Sequence, residues 1–211
     1  MPTKLFFELT EEKRNTIIAA AIDEFAMCGY TNASTNSIVK QAKISKGSLF
    51  KYFKNKEELF FYILDTITTE LNESIKLNAD NLSFELFQRV IDYSTLEFLW
   101  YINNPQKAKL IIVAFTKSDT EIYQKTIVRY HMIESEIYYK FLEDIDLSNL
   151  RGDKRKTIDI LKWFLKGFND NFLEHMQNEK YSFEYLHEEY VRTLTEYMEI
   201  IKYGLIRKEE K

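Results

Sequence analysis

Glycine and proline are scarce along this chain, with five glycines and two prolines spread over 211 residues. Both residues interrupt regular helices, because glycine gives up more backbone entropy on folding and proline lacks an amide hydrogen. So few breakers favour long helices over many short strands and tight turns. Apolar residues also recur at helical spacing. The sequence therefore predicts an all-α fold with about nine helices, over residues 10–28, 35–42, 46–53, 55–77, 83–103, 105–115, 119–143, 154–176 and 182–203.

Cysteine use and apolar runs indicate the compartment. Cys28 is the only cysteine, so an intramolecular disulfide is impossible, which fits a reducing environment. Runs such as residues 59–64 are far shorter than the about 20 residues of a membrane span, and residues 1–14 contain no signal-peptide pattern. We expect a cytoplasmic protein with no membrane segment.

Motifs of catalysis and of metal binding are not found in the sequence. The three histidines, at positions 131, 175 and 187, share no metal-ligand spacing. There is no glycine-rich phosphate loop, nucleophile elbow or catalytic cysteine context. We therefore expect no metal, no other cofactor and no enzymatic activity.

Charge is distributed unevenly along the chain. The net charge is −4, yet residues 1–56 carry nine basic and five acidic residues, and the rest carries 20 basic and 28 acidic ones. Between Gly29 and Lys56 there are six lysines and no acid. This asymmetry predicts a polyanion-binding surface on an otherwise acidic protein, with a solvated lysine face as the alternative.

Capping signals divide the N-terminal part into short helices. Thr10 can cap the first helix, and Gly29 suits a left-handed stop. Ser34 and Ser45 can cap two short helices separated by a break near residues 43–44, and Asn55 with Glu58 has the spacing of a capping box. A longer helix followed by two short ones predicts a three-helix version of the helix-turn-helix.

The stretch at residues 44–59, "ISKGSLFKYFKNKEEL", has the chemistry of a DNA-reading helix. Free amide hydrogens at the helix start suit phosphate or base-edge acceptors, and Gly47 lets the backbone approach a duplex closely. Lysines release counterions on binding DNA. Leu49 and Phe53, four residues apart, can pack inward. We interpret the stretch as a recognition helix in a major groove, with residues 46–48 near the bases.

Residues 17–60 also resemble the N-terminal DNA-binding domain of TetR-family transcriptional regulators. The matching elements are an apolar helix, a Gly-Tyr pair at 29–30, "AST" at 33–35, "SKG" at 45–47, Tyr-Phe at 52–53 and "KNKEEL" at 54–59. The family often has glycine where this chain has Lys43, so we predict a left-handed or strained backbone there. It often has tyrosine where this chain has Phe50, which removes a hydroxyl.

The resemblance implies roles for individual residues. Thr35 would contact a phosphate, residues 45–48 would face the groove, and Lys51 and Tyr52 would lie on the backbone or base edges. Lys56 would hold a phosphate. The predicted DNA-binding residues are Thr35, Ser45, Lys46, Gly47, Ser48, Phe50, Lys51, Tyr52, Lys54 and Lys56.

The resemblance further implies a DNA-binding domain at residues 1–54 and a ligand-binding and dimerisation domain at residues 55–211, connected by the helix at 55–77. The last two helices carry more large apolar residues than one core face requires, and Gly167 would permit close approach of a second subunit. Polar residues on apolar stripes suggest a mostly apolar pocket, although such aromatic residues more often form the core and Glu134 can lie on the surface or at an interface. The predicted pocket residues are Ser94, Phe98, Tyr101, Tyr130, Glu134, Phe168 and Asn169.

Together these features predict a ligand-responsive, DNA-binding transcriptional regulator. We expect a homodimer that represses from a palindromic double-stranded operator and is released by a small, largely apolar or aromatic effector. The alternative is an all-helical small-molecule binding protein without DNA function. A helical enzyme is disfavoured, because no convergent set of titratable residues is apparent.

Overall fold

The computed structural model describes residues 1–78, 82–115, 120–130, 145–148, 150, 153–176 and 183–205. These residues form an all-α fold, as predicted. None of the helices in these ranges is both long and apolar enough to cross a membrane. The helices are α1 (Lys4–Phe7), α2 (Glu11–Asn32), α3 (Thr35–Gln41), α4 (Lys46–Tyr52), α5 (Lys56–Lys76), α6 (Leu86–Asn103), α7 (Pro105–Phe115), α8 (residues 121–130), α9 (Lys154–Met176) and α10 (Phe183–Leu205).

The chain divides into two compact units. The first unit contains the described residues of Met1–Ser74 and Asn103–His131, and the second those of Ile75–Ile102 and Met132–Lys211. The chain passes from the first unit to the second within α5 and returns at the end of α6. This division follows packing, whereas the predicted boundary after residue 54 separates functions, so that boundary stays a prediction.

Helix α2 begins as predicted and is interrupted at the predicted glycine. The Thr10 hydroxyl oxygen accepts a hydrogen bond from the Lys13 amide, and Glu11 and Glu12 occupy the first turn, where the helix dipole favours acids. Gly29 has φ 64° and ψ 172°, a conformation open mainly to glycine. Gly29 therefore interrupts α2 at the predicted position and with the predicted positive φ, and helical structure resumes after it up to Asn32.

Two further helix ends differ from the predicted ones. Helix α6 begins at Leu86, not directly after Ser83, since Glu85 accepts the hydrogen bond from the Gln88 amide at 2.9 Å. Helix α10 continues to Leu205, so Gly204 lies inside the helix and does not end it. At α6 the capping chemistry of Ser83 was therefore outweighed by that of Glu85.

Helix α1 was missed by the sequence analysis. Four residues are too short to show a helical period, and the segment looks like an irregular N-terminus. Its Phe6 is fully buried, and its ring packs against the rings of Phe53 and Tyr62. The first unit thus packs α1 against α4, α3 against both α2 and α4, and α7 against α2.

The second unit has an aromatic and aliphatic core. Residues of α6, α9 and α10 interleave at its centre, as the helical spacing of their apolar residues predicts. The rings of Phe98 and Tyr190 stack with centres 4.1 Å apart, and Phe172 lies edge-on to both. Other buried members are Leu86, Phe87, Val90, Ile91, Ile102, Ile145, Leu150, Leu161, Leu165, Leu186, Leu194 and Met198.

Candidate nucleic-acid interface

The turn between α3 and α4 depends on a left-handed residue. Lys43 has φ 53°, as predicted. Its amide donates to the Lys40 carbonyl at 3.3 Å, and the Ile44 amide donates to the Val39 carbonyl at 3.0 Å. These two bonds form the Schellman pattern that ends a helix and reverses the chain. The residues at 35–52 therefore fold as the predicted helix-turn-helix, at the cost of one strained lysine.

The start of α4 is held by serines and open to solvent. The Ser45 hydroxyl oxygen accepts from the Ser48 amide at 3.0 Å, which makes Ser45 the predicted N-cap. Lys46 and Gly47 are exposed. A Cβ atom built on Gly47 would meet only the Ser45 hydroxyl oxygen, at 3.8 Å. The fold alone does not require a glycine at position 47.

One face of α4 fixes the helix to the core. Leu49 and Phe53 are each 1% exposed, as their spacing predicted. The Phe53 ring lies 4.8 Å from that of Phe6 and 5.5 Å from that of Tyr62, centre to centre. Phe50, by contrast, is 40% exposed. Helix α4 therefore presents its polar side outward from a firmly buried anchor.

Lys56 has a structural role that the sequence analysis missed. Its ammonium donates to the carbonyls of Tyr30, Thr31 and Ala33 at 2.7, 3.2 and 3.1 Å. Its Nζ atom also lies 4.6 Å from the centre of the Tyr30 ring. An ammonium has three protons, and here all three are directed at the end of α2. The sequence shows that the end of a helix needs donors, but it does not show which lysine supplies them.

The caps of the neighbouring helices follow the predicted positions with different partners. Ser34 occupies the N-cap position of α3 without a side-chain cap bond, and its amide donates to Glu24 Oε1 at 2.7 Å. Asn55 Oδ1 accepts from the Glu58 amide at 2.8 Å. Glu58 Oε2 accepts from the Lys54 amide at 2.7 Å and so completes the cap one residue earlier than in a capping box.

None of the ten predicted DNA-binding residues is buried. They lie on the short segment from α3 to the start of α5, and no acidic side chain interrupts that segment before Glu57. Ser45, Lys46, Gly47, Phe50, Lys51 and Lys54 are exposed, and Thr35, Ser48, Tyr52 and Lys56 are half-buried. Apart from Lys56, whose ammonium is engaged by the end of α2, the lysines of this segment form an accessible cationic surface suited to a polyanion.

Residues 17–63 match the family model described as "Bacterial regulatory proteins, tetR family". Residues 17–63 therefore form a DNA-binding domain of the kind found in this family of transcriptional regulators. Over 69 residues it is 36% identical to the uncharacterised HTH-type transcriptional regulator YhgD of Bacillus subtilis, a match that covers 33% of this chain and 34% of YhgD. The matches to the first curated relatives span about a third of their length.

Solved structures share the fold of this chain over most of its length. A TetR-family transcriptional regulator from Chloroflexus aurantiacus aligns with a TM-score of 0.66 at 21% identity, covering 99% of this chain and 100% of that one. FadR of Bacillus subtilis, solved in complex with stearoyl-CoA, aligns with a TM-score of 0.61 at 18% identity, covering 86% and 97%. At these identities the likeness concerns the fold.

Four of the predicted pocket residues meet in the second unit. Phe98, Tyr101 and Asn169 surround one point together with Tyr190, and Phe168 packs on the Tyr190 ring at 5.2 Å. The Tyr190 hydroxyl donates to Asn169 Oδ1 at 2.7 Å. No space for a water molecule remains between these side chains. The predicted residues are thus brought together, but the structure holds them closed.

The Tyr101 side chain in this group is shielded from water. Its hydroxyl donates to Glu97 Oε1 at 2.8 Å. Burial raises the pKa of Tyr101 well above its usual value, and the negative charge of Glu97 raises it further. Tyr101 therefore stays protonated and acts as a hydrogen-bond donor.

Two further predicted pocket residues, Tyr130 and Ser94, are not part of that group. Tyr130 belongs to the first unit, where its hydroxyl donates to Asp65 Oδ1 at 2.6 Å. Burial and this hydrogen bond raise the pKa of Tyr130. Ser94 is buried on α6 but does not line the same point. Glu134 lies outside the described residues.

The first unit contains a cavity that the sequence analysis did not predict. Its volume is about 190 Å³, and it lies where the kinked end of α2 meets α7 and α8. Apolar walls come from Phe60, Val113 and Ile122, and polar ones from Cys28 and Tyr123. The cavity depends on contacts between segments far apart in sequence, so no local pattern could have indicated it.

Proposed function

We propose that this regulator is a homodimeric repressor that binds a palindromic double-stranded operator through α4 and is released by a small apolar or aromatic effector. The observation that carries the proposal is the accessible start of α4, where Ser45–Ser48 stand exposed or half-buried above a buried anchor. Two such helices, one from each subunit, would occupy successive major grooves about 34–36 Å apart.

Gly47 supports a close approach to DNA. Glycine costs a helix up to about 1 kcal/mol relative to alanine, and the fold leaves room for a Cβ at this position. A destabilising residue without a folding reason is expected where a ligand must come near the backbone. We infer that Gly47 makes room for a base edge or a phosphate.

The DNA-binding experiment uses fluorescence polarisation with a labelled duplex from upstream of the chain's own gene and with a random duplex, over a range of salt. We expect tighter binding to the upstream duplex. Gly47→Ala should weaken binding by about tenfold or more while leaving the free protein equally stable or more stable. Lys51→Ala should lower the slope of log affinity against log salt by about 0.9, as expected for one lost phosphate contact.

Lys76→Ala is the matched control, since Lys76 is an exposed lysine on α5 outside the candidate interface. It should leave both affinity and salt slope unchanged. Equal affinity of the unchanged protein for the upstream and random duplexes would contradict the proposal for that operator. If Gly47→Ala binds the upstream duplex as tightly as the unchanged protein does, Gly47 is not needed for close approach to DNA.

The proposed dimer would form through α9 and α10. Trp163 is 73% exposed, Ile200 69% and Tyr203 80%, although these residues are apolar or aromatic. Gly167 lies on the same side of α9 as Trp163, and nothing lies within 4 Å of a Cβ built on it. Helices from a second copy would cover these residues in a four-helix interface.

Sedimentation equilibrium tests this surface. Trp163→Asp and Ile200→Asp should each shift the protein from dimer to monomer, because a carboxylate would be buried without a partner. Val128→Asp is the control, since Val128 is 75% exposed on α8 in the other unit. A dimer that persists in both α9 and α10 variants would place the interface elsewhere.

For the effector we propose the closed group around Phe98 and Tyr190. An apolar or aromatic molecule would separate the two stacked rings and pack between them, with Asn169 and Tyr101 available for polar contacts. The proposed site has no open volume, so binding would require a rearrangement that shifts the population away from the DNA-binding state.

Release of the operator by a panel of apolar and aromatic compounds locates the site. Phe98→Trp should abolish release by overfilling the group, whereas Val113→Phe, which fills the cavity in the first unit, should leave release intact. The opposite pattern would assign the effector to the first-unit cavity and overturn this proposal.

A further inference from the structure

The last turn of α4 is capped by a residue from the N-terminus of the chain. The Thr3 amide donates to the Tyr52 carbonyl at 2.9 Å, and the Thr3 hydroxyl donates to the Lys51 carbonyl at 2.8 Å. The last four carbonyls of a helix have no partner within it. The Leu49 carbonyl of this turn is satisfied locally, by the Phe53 amide. Thr3 therefore supplies two donors that α4 lacks.

A buried ring strengthens the same contact. Phe6 is 0% exposed, and its ring centre lies 4.8 Å from Phe53, 5.4 Å from Tyr62 and 6.0 Å from Tyr52. Aromatic pairs in such tilted and edge-on geometries stabilise beyond their buried area. The N-terminal segment thus fills the angle between α4 and α5.

The other end of this segment is fixed to α2. Arg14 Nη1 donates to the carbonyls of Phe7 and Leu9 at 2.9 and 2.5 Å. Residues 3–9 are therefore held at both ends, by α4 through Thr3 and by α2 through Arg14. A segment fixed in this way resists movement of α4 relative to α2.

We propose that residues 3–9 form a brace that positions the DNA-reading helix α4. In this brace, Thr3 caps the C-terminal turn of α4, and the Phe6 ring fills the space between α4 and α5. This inference rests on the proposed DNA binding of α4. A seven-residue helix is too short to be stable alone, so the geometry of its last turn depends on outside partners. Lys51 and Tyr52, two predicted DNA contacts, are the residues whose carbonyls Thr3 holds. If the last turn of α4 is less ordered in the free protein, it must become ordered when the protein binds DNA. This ordering costs entropy and therefore lowers the affinity.

The test combines operator binding with amide hydrogen exchange of the free protein. Thr3→Val keeps the shape of the side chain and removes the hydroxyl donor. We expect operator affinity to fall about two- to tenfold, the range for one lost hydrogen bond, with the salt slope unchanged. Amides of residues 49–53 should exchange about two- to tenfold faster. Thr3→Ser, which keeps the hydroxyl, should restore both.

Two matched controls separate positioning from general destabilisation. Thr69→Val makes the same chemical change at an exposed site on α5 and should alter neither readout. Phe6→Leu should weaken operator binding and speed exchange at 49–53, whereas Phe7→Leu, at a side chain that is 53% exposed, should do so much less.

If Thr3→Val keeps both the operator affinity and the amide exchange rates of the unchanged protein, the proposed brace is contradicted. Faster exchange with unchanged affinity would also overturn it, because α4 would then be capped without any consequence for DNA. If the unchanged protein shows no preference for the upstream duplex, the proposed operator fails, and exchange at residues 49–53 still decides whether Thr3 caps α4.

Discussion

The surface of α4 and the aromatic group around Tyr190 are candidate sites that are built in different ways. At α4, the left-handed Lys43 and the Ser45 cap set the backbone geometry, and the side chains of Lys46 and Lys51 are exposed. Around Tyr190, side chains fill the space completely, and their hydrogen bonds are made to one another. The surface of α4 is accessible without rearrangement, whereas the aromatic group around Tyr190 must open before a ligand can enter it.

The largest expected effect comes from removing the anchor of α4. Phe53→Ala should lower the free energy of unfolding by about 3–5 kcal/mol, as for other buried phenylalanines. Phe50→Ala, three residues away at an exposed position, should change it by less than about 0.5 kcal/mol. Chemical denaturation of the two variants measures the difference. Equal losses would mean that α4 has no distinct buried and outward faces.

In the aromatic group, removal of the Tyr190 hydroxyl tests whether its hydrogen bond to Asn169 stabilises the packed rings. Tyr190→Phe keeps the ring stack and leaves Asn169 Oδ1 without its donor. The free energy of unfolding should fall by about 1–2 kcal/mol, the cost of an unsatisfied buried polar group. Tyr203→Phe, at an 80% exposed position on the same helix, should be neutral in thermal melts. A neutral Tyr190→Phe would show that the stack alone holds the group.

The serine caps provide a smaller and sharper contrast. Ser45→Ala should lower the free energy of unfolding by about 1 kcal/mol, because the Ser48 amide loses its acceptor. Ser34→Ala should cost only a few tenths, since Ser34 makes no side-chain cap bond. Both variants can be followed by urea unfolding. If they cost the same, the cap of α4 contributes nothing special to the helix.

The smallest change concerns Lys43. Lys43→Gly should raise the free energy of unfolding by up to about 1 kcal/mol, because glycine adopts positive φ without the Cβ clash. Lys40→Gly, within α3, should lower it by about 0.5–1 kcal/mol. Thermal melts of the pair give opposite shifts if the turn is as described. Destabilisation by both would imply that the lysine side chain outweighs the strain.

Local signals explain why much of the candidate interface could be predicted. Ser45 caps its helix, Leu49 and Phe53 share a buried face, and Lys43 takes the left-handed conformation, each for a reason contained within a few residues of sequence. Helix boundaries were less predictable where several residues competed for one cap, as at the start of α6.

By itself the sequence determined the all-α class, the helix-turn-helix and the exposed cationic segment, because helical period, capping and charge act over short distances along the chain. Only the tertiary structure decided that Lys56 caps α2, that Thr3 holds the last turn of α4, and that Tyr190 closes on Asn169. Each of these contacts joins residues 21 or more positions apart. Such partners are chosen by the packing of whole helices, and no short stretch of sequence carries that information.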